Sequence, residues 1–442
     1  MADASPTKRF FISYLVRDLS LEDAILDLVD NAVDSLVRTR NLDVSAKLLH
    51  IPVAPPSESV RAADVRISIT KGGFRISDTC GGIGTERAQK YAFRFGNPDP
   101  SFPSALGVFG IGMKRALFKL GNRIAVTSRT VSDGFRTEID ASTWVDDPVW
   151  EFQLTTLEPA QGQGTAGTDI EVRELSTEVL LRLDDPRFLV RLADSIAVTY
   201  ALFLGRFLTV ELNGHLISPK AVPLGGSPDI SPVFRSMSLD GVSCDVMASL
   251  AAREDGEWNA DRAGWYVVCN GRLIVTADKT KLTGWGLPGP AFVSKYRGFV
   301  GVAFFFSSDP ALLPWTTTKR DLNVESEIYQ VARKEMASIA RPVLTFLNRM
   351  YPGEPAEATA ERRLAESLKP VDVAQVVSVG QSNLQLVAPR SSRPKRSSVS
   401  IQYKAEKHEI DRVRKKIDKP TWSAGAVGRF TFEHYLRTEC PE

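Results

Sequence analysis

The stretch Asp27 to Ser35, DLVDNAVDS, carries the residues most able to do chemistry. Asp27, Asn31 and Asp34 recur at intervals of four and three, so they share one face of a helix whose other positions, Ile25, Leu28, Val29, Ala32 and Val33, are apolar. Burying two acids and an amide costs several kcal/mol unless each finds a partner, an ion or a ligand. A carboxylate can polarise a water, and an amide can hold a hard cation or a phosphate oxygen. The alternative is a solvated helix face.

Two later stretches favour the ligand. Strand-like alternation from Val65 to Ile76 ends in Asp78-Thr79-Cys80-Gly81-Gly82, an acid at a strand end followed by a glycine turn. Then Gly107, Gly110 and Gly112, followed by Lys114, lead into an apolar helix from Ala116 to Leu120. Glycines let backbone N–H groups approach an anion, and the helix N-terminus behind them adds a favourable dipole.

In order and spacing these pieces resemble the nucleotide-binding motifs of the GHKL ATPases, the superfamily of gyrase B, the ninety-kilodalton heat-shock chaperones, histidine kinases and MutL. The matching residues are Asp27 and Asn31 for the first motif, Asp78 and Gly82 for the second, and Gly107, Gly110 and Gly112 for the third. Gly167-Thr168 before a strand resembles the fourth. The chain departs from the pattern at Cys80, where most members carry the first glycine of the second motif, and at Asp27, where the family has Glu. A shorter carboxylate displaces the base by about 1 Å, which can cost on the order of a hundredfold in rate.

The resemblance implies ATP and Mg²⁺ as cofactors and assigns roles. Asn31 would hold Mg²⁺ on the phosphates, and Asp78, supported by Thr168, would accept the adenine amino hydrogen. Gly107 to Gly112 would wrap the phosphates, with Asp34, Gly82 and Lys114 completing the nucleotide site. Asp27 would orient the attacking water. In this family ATP closes a lid and pairs two N-terminal domains, so an ATP-dependent homodimer is the implied partner.

The elements that must position these residues suit an α+β protein: a Bergerat-type α/β sandwich ATPase domain followed by a transducer-like α+β domain. Residues 1–20 read as an N-terminal strap, with Phe10 to Val16 as a strand or strap that would cover the nucleotide domain or exchange with a partner, and 21–220 as the ATP-binding domain. Within it, helical patterns at 21–40, 84–95, 110–120 and 187–204 mix with strand patterns at 64–77, 122–130, 134–140 and 167–173. Asn213-Gly214 reads as a tight hairpin, and 96–106 as a mobile lid loop. Residues 221–352 read as the transducer-like domain, with strands at 234–250, 265–275 and 299–307 and a helix from 325 to 350. Within it, Pro314 to Asp321 resembles the loop of MutL and MORC proteins that sends a lysine to the nucleotide, so Lys319 would contact the γ-phosphate; the alternative is a surface turn.

Residues 353–400 read as a charged helix (354–369) and a Ser/Pro linker (381–398), and 401–442 as a small basic C-terminal segment. Between Arg390 and Lys419 stand eleven Lys/Arg against four Asp/Glu in a chain whose net charge is +2. That excess is either a footprint for nucleic acid or a solvated helix with Ile410, Val413 and Ile417 turned inward.

At 442 residues, 43% apolar and 24% charged, the chain has the composition of a globular protein of two or three domains. It shows neither a spanning segment nor a signal peptide, and its four scattered cysteines suit a reducing cytoplasm. The four dispersed histidines offer no zinc site and no nucleophilic catalytic pair. The expected function is slow Mg-dependent ATP hydrolysis that drives N-terminal dimerisation and a conformational switch on a macromolecular client. The competing functions are a nucleotide-gated scaffold without turnover and a histidine-kinase-like phosphotransfer module, the latter lacking a phosphoacceptor histidine on a dimerisation helix.

Overall fold

The N-terminal run Phe10 to Val16 is a helix, not a strand: α1 spans Lys8–Arg17. Thr7 caps it by accepting from the Phe10 N–H at 3.3 Å. A short apolar run does not distinguish helix from strand by its period. What decides here is that cap, together with the anchoring of Lys8, whose ammonium donates to the carbonyls of Trp144 and Val149 and sits 4.0 Å above the Trp144 ring. The computed structural model describes residues 7–44, 62–96, 106–107, 110–220, 222–227, 230, 232–254, 256–350, 365–370 and 404–440. The proposed linker at 381–398, nearly all of the lid loop and most of the helix at 354–369 lie outside them.

Helix α2 (Leu21–Arg40) starts at Ser20, whose hydroxyl accepts from the Asp23 N–H, and ends on Asn41 in the left-handed conformation. It is buried nearly all round, including Asp23, Asp27, Asp30 and Asp34. Strands β1 (Ala63–Thr70) and β2 (Gly73–Asp78) follow, so the expected strand at 64–77 is a hairpin. After the short α3 (Thr85–Arg87) the chain winds through a π-helical turn at Ala88–Ala92. Next come α4 (Gly112–Leu120), β3 (Gly121–Arg129), β4 (Gly134–Asp140), the single turn α5 (Ala141–Trp144), β5 (Thr155–Leu157) and β6 (Gly167–Leu175). Helices α6 (Thr177–Leu183) and α7 (Phe188–Thr199) lead to β7 (Leu208–Leu212) and β8 (His215–Leu216), joined by a turn in which Asn213 and Gly214 both have positive φ, 49° and 78°.

These strands form one mixed sheet in the order β5-β4-β3-β6-β2-β1-β7-β8, parallel only between β1 and β7. In β1, Val65, Ile67 and Ile69 are buried while Arg66, Ser68 and Thr70 face solvent. The sheet therefore buries one face, which α2 and α4 cover.

A second sheet follows two-residue β9 (Gly225–Gly226). It contains β10 (Val233–Leu239), β11 (Val242–Leu250), β12 (Gly264–Cys269), β13 (Arg272–Asp278) and β14 (Phe299–Ser307), in the order β10-β11-β14-β12-β13. The long strands expected at 234–250 and 265–275 are thus hairpins, turning at Asp240-Gly241 and Asn270-Gly271, again with positive φ. Helix α8 (Glu327–Met350) packs on β10, β11 and β14. Beyond it, Lys369–Pro370 is a short strand, β15, paired with β9, where the charged helix was expected to run. Residues Met1–Ala388 form one compact unit and Pro389–Glu442 another. In the latter, α9 (Lys407–Lys416) and α10 (Ala424–Glu439) pack as a pair.

Candidate functional site

The polar residues of α2 meet three different partners. Asp27 accepts from Arg115 Nε of α4 at 2.7 Å, with side chains only 4% and 11% exposed. Asp30, one residue before Asn31, accepts from Arg272 Nε at 2.9 Å, Tyr200 OH at 2.7 Å and Lys319 Nζ at 2.7 Å. Asp34 accepts from the N–H groups of Leu106 and Gly107 and so fixes the start of the glycine-rich loop. A Cβ at Gly112 would lie 3.5 Å from the Asp27 carboxylate, so Asp27 packs directly under the first turn of α4.

These surroundings push the carboxylates apart. Burial acts to raise Asp30, but Arg272 and Lys319 beside it prevail and hold it at about 2. Burial raises Asp34 to about 6 against the pull of Lys319 and the two loop N–H groups. Two cations on one buried carboxylate leave a positive excess that Asp34, close enough to feel Lys319, partly balances.

Asn31 lies between these groups. Its Nδ2 is buried and has no hydrogen-bond partner among the described residues. An amide donor without a partner in a native interior calls for an explanation, and a phosphate oxygen beside a metal held by the same side chain is a fitting one. Among the described residues no cluster of three or more His, Cys, Asp or Glu could itself hold a metal ion. An amide as a lone protein ligand suits Mg²⁺, which commonly keeps waters and binds through substrate phosphates.

The other end of the site is built from backbone and hydroxyls. Asp78 at the end of β2 accepts from the Cys80 N–H at 2.8 Å and from the Thr168 N–H, and burial pushes it up to about 6. Thr168 Oγ1 and Ser128 Oγ lie 2.9 Å apart, and Ser128 Oγ also accepts from Ile83 N at 2.7 Å. Two glycines permit this geometry. A Cβ on Gly167 would stand 1.8 Å from the Asp78 carbonyl, and one on Gly82, whose φ is +72°, 2.3 Å from the Arg129 carbonyl. Cys80 is buried, its thiol pushed up by burial first and Asp78 second.

The predicted residues thus fall into two groups, Asp78, Gly82 and Thr168 around β2 and β6, and Asp27, Asn31, Asp34, Gly107 and Gly112 between α2 and α4. Gly110, with φ +59°, lies in the same loop, whose residues 108 and 109 are outside the described set. Lys319 reaches α2 from 289 residues away and is buried there on Asp30. Lys114 turns elsewhere: its ammonium donates to the carbonyls of Ala92 at 2.9 Å and Arg94 at 2.7 Å, and burial lowers it to about 7.

Sequence reasoning missed Asp30, Tyr200, Arg115 and Arg272. Asp30 had a readable signal: it is a third acid in DLVDNAVDS, three residues after Asp27 and four before Asp34, and so shares their face. Arg115 follows Lys114 directly and looked like half of a solvated pair. Nothing local marks Arg272 or Tyr200.

Residues 19–169 match the family model described as Histidine kinase-, DNA gyrase B-, and HSP90-like ATPase. This segment is a GHKL ATPase domain of mixed α+β content, its large mixed sheet and covering helices forming an α/β sandwich. No curated protein matches the chain significantly.

Proposed function

We propose that the protein is a Mg-dependent, slow ATPase of the MORC-like or MutL-like type, in which ATP pairs two N-terminal domains and switches a macromolecular client. A GHKL-type ATPase domain carries ATP binding as its common property; the single observation that supports this site is the buried, unpartnered amide of Asn31 on the face shared with Asp27 and Asp34. In this reading Asn31 holds Mg²⁺, which supplies charge neutralisation on the phosphates. Asp78 accepts the adenine amino hydrogen, with Thr168 and Ser128 fixing its surroundings. The N–H groups from Gly107 to Gly112, oriented by Asp34, cradle the phosphates. Asp27 orients water as general base, and Lys319 stands on Asp30 within reach of the same helix. Phosphoryl transfer requires positioning and charge stabilisation above all, and this set supplies both.

A second reading, nucleotide-gated binding without turnover, is favoured by one feature: Asp27 is both a shorter base than Glu and ion-paired to Arg115. Phosphate release separates the two. Asp27→Asn should keep ATP binding and lose turnover; equal release by variant and wild type would remove Asp27 as the base, and none from either would leave the gated binder.

For assembly, α1 presents Phe10 and Tyr14, stacked at 5.9 Å and 62% and 68% exposed, as a candidate pairing surface. A non-hydrolysable ATP analogue should move the protein from monomer to dimer in light scattering, and deletion of residues 1–16 should prevent it. One candidate client is nucleic acid, engaged through 390–419, against the alternative of a solvated helix and a protein client; the described part of that segment exposes Lys407, Arg412, Lys415, Lys416 and Lys419 on and after α9, with Ile410, Val413 and Ile417 half-buried. No described helix is long and apolar enough to cross a membrane, and a cytoplasmic location is part of the proposal.

A further inference from the structure

The resemblance gives no role to Arg115, yet the structure places it at the centre of the phosphate end. Its Nε is spent on Asp27 at 2.7 Å. Among the described residues its terminal nitrogens have no hydrogen-bond partner, although the side chain is only 11% exposed. A guanidinium offers five N–H donors in a planar fork and stays charged, and the Arg115 terminal nitrogens are not among the buried atoms left without a partner, so they reach solvent and are open to a ligand. The fork sits one turn into α4, behind the glycine loop whose N–H groups and helix dipole attract anions.

We propose that Arg115 reads the terminal phosphate: its Nε holds the Asp27 carboxylate while its two terminal nitrogens bind the last phosphate of a nucleoside triphosphate. The carboxylate and the phosphate are then positioned by one rigid group, and Asp27 takes its working place only over a triphosphate. A diphosphate does not reach the fork. Arg115 is thus a specificity and positioning residue; Lys319 is committed to Asp30. This inference rests on the nucleotide reading of the site, and it assigns that site's preference for three phosphates over two to a residue of the ATPase domain itself.

Calorimetric titration of Mg-ATP and Mg-ADP tests it. Arg115→Ala should weaken ATP by about tenfold or more, the loss of at least one hydrogen bond to a charged group, and leave ADP within about twofold. Because Arg115→Ala strands a buried carboxylate and can fail to fold, Asp27→Asn and the double variant Asp27→Asn/Arg115→Ala accompany it; the double variant removes both charges, whereas Asp27→Asn leaves the Arg115 guanidinium without its carboxylate. Asp27→Asn frees the fork, so the preference for ATP over ADP should rise, and the double variant should lose that rise. Equal weakening of ATP and ADP in Arg115→Ala, or an unchanged preference across all three variants, would overturn the proposal while leaving nucleotide binding intact. Failure of the wild type to bind either nucleotide would instead overturn the reading beneath it.

Discussion

The two ends of the candidate site are built on opposite plans. Around Asp78 the partners are backbone N–H groups, two hydroxyls and glycines against which no Cβ fits. Around α2 the partners are side-chain ions: Arg115 on Asp27, and Arg272 and Lys319 on Asp30. Backbone contacts made through close approach have one geometry and nowhere to move. Ion pairs between long side chains can exchange partners when a new charge arrives. The Asp78 end therefore suits recognition of a fixed, flat group, and the α2 end suits sensing of a group whose charge changes as chemistry proceeds.

The largest expected effect lies at the α2 end. Asp30→Ala would leave Arg272 and Lys319 buried without their carboxylate, and breaking such a pair costs about 3–5 kcal/mol. Chemical denaturation should show a loss of that size; a change under about 1 kcal/mol would mean the pairs are solvated and the contrast between the ends is false. At the other end, Gly167→Ala should force β6 away from the Asp78 carbonyl, at a cost of about 1–3 kcal/mol for overpacking, and should weaken ATP as well as lower stability. Normal ATP affinity in that variant would show that the Asp78 end tolerates movement.

A smaller effect follows from pH. Asp34 and Asp78 are both held at about 6 in the folded chain, above the usual carboxylate value. Because the folded state binds these protons more tightly, their ionisation weakens folding above pH 6, and stability from them grows as pH falls from 7 towards 5. Thermal melts of the nucleotide-free protein should rise over that window, and Asp78→Asn should reduce the rise. ATP affinity should move the opposite way, falling below pH 6 as Asp78 protonates and stops accepting the adenine amino hydrogen. An ATP affinity that stays constant as pH falls through 6 would exclude Asp78 as that acceptor. The smallest effect concerns the basic tail: if 390–419 meets phosphates, the log–log slope of DNA affinity against salt should be about −0.9 per contact and flatten on truncation at 385.

How much of this was legible in the sequence depends on how local each signal was. Helix α2 was readable to the residue, because its apolar period lies within it and its caps, Ser20 and the left-handed Asn41, directly flank it. Strand β14 and the Asn213-Gly214 turn were equally local. The Asp240-Gly241 and Asn270-Gly271 turns carried the same signal but sat inside longer strand-like runs: β10 and the start of β11 alternate on both sides of the first turn, and β12 before the second is buried on both faces. The helix α1 failed for a tertiary reason, since Lys8 is anchored on Trp144, 136 residues away. Still longer separations from Asp30, 242 and 170 residues, hid Arg272 and Tyr200, whereas Lys319 was found only through the resemblance of its loop.

The central claim is that the face of α2 holding Asn31 is a Mg-nucleotide site, and calorimetric titration of ATP, with and without Mg²⁺, into wild type and Asn31→Ala tests it most directly. The account predicts saturable, Mg-dependent binding to the wild type and its loss in Asn31→Ala, with the variant's melting temperature unchanged because its Nδ2 had no protein partner among the described residues to lose. Equal affinity in the two proteins would contradict it.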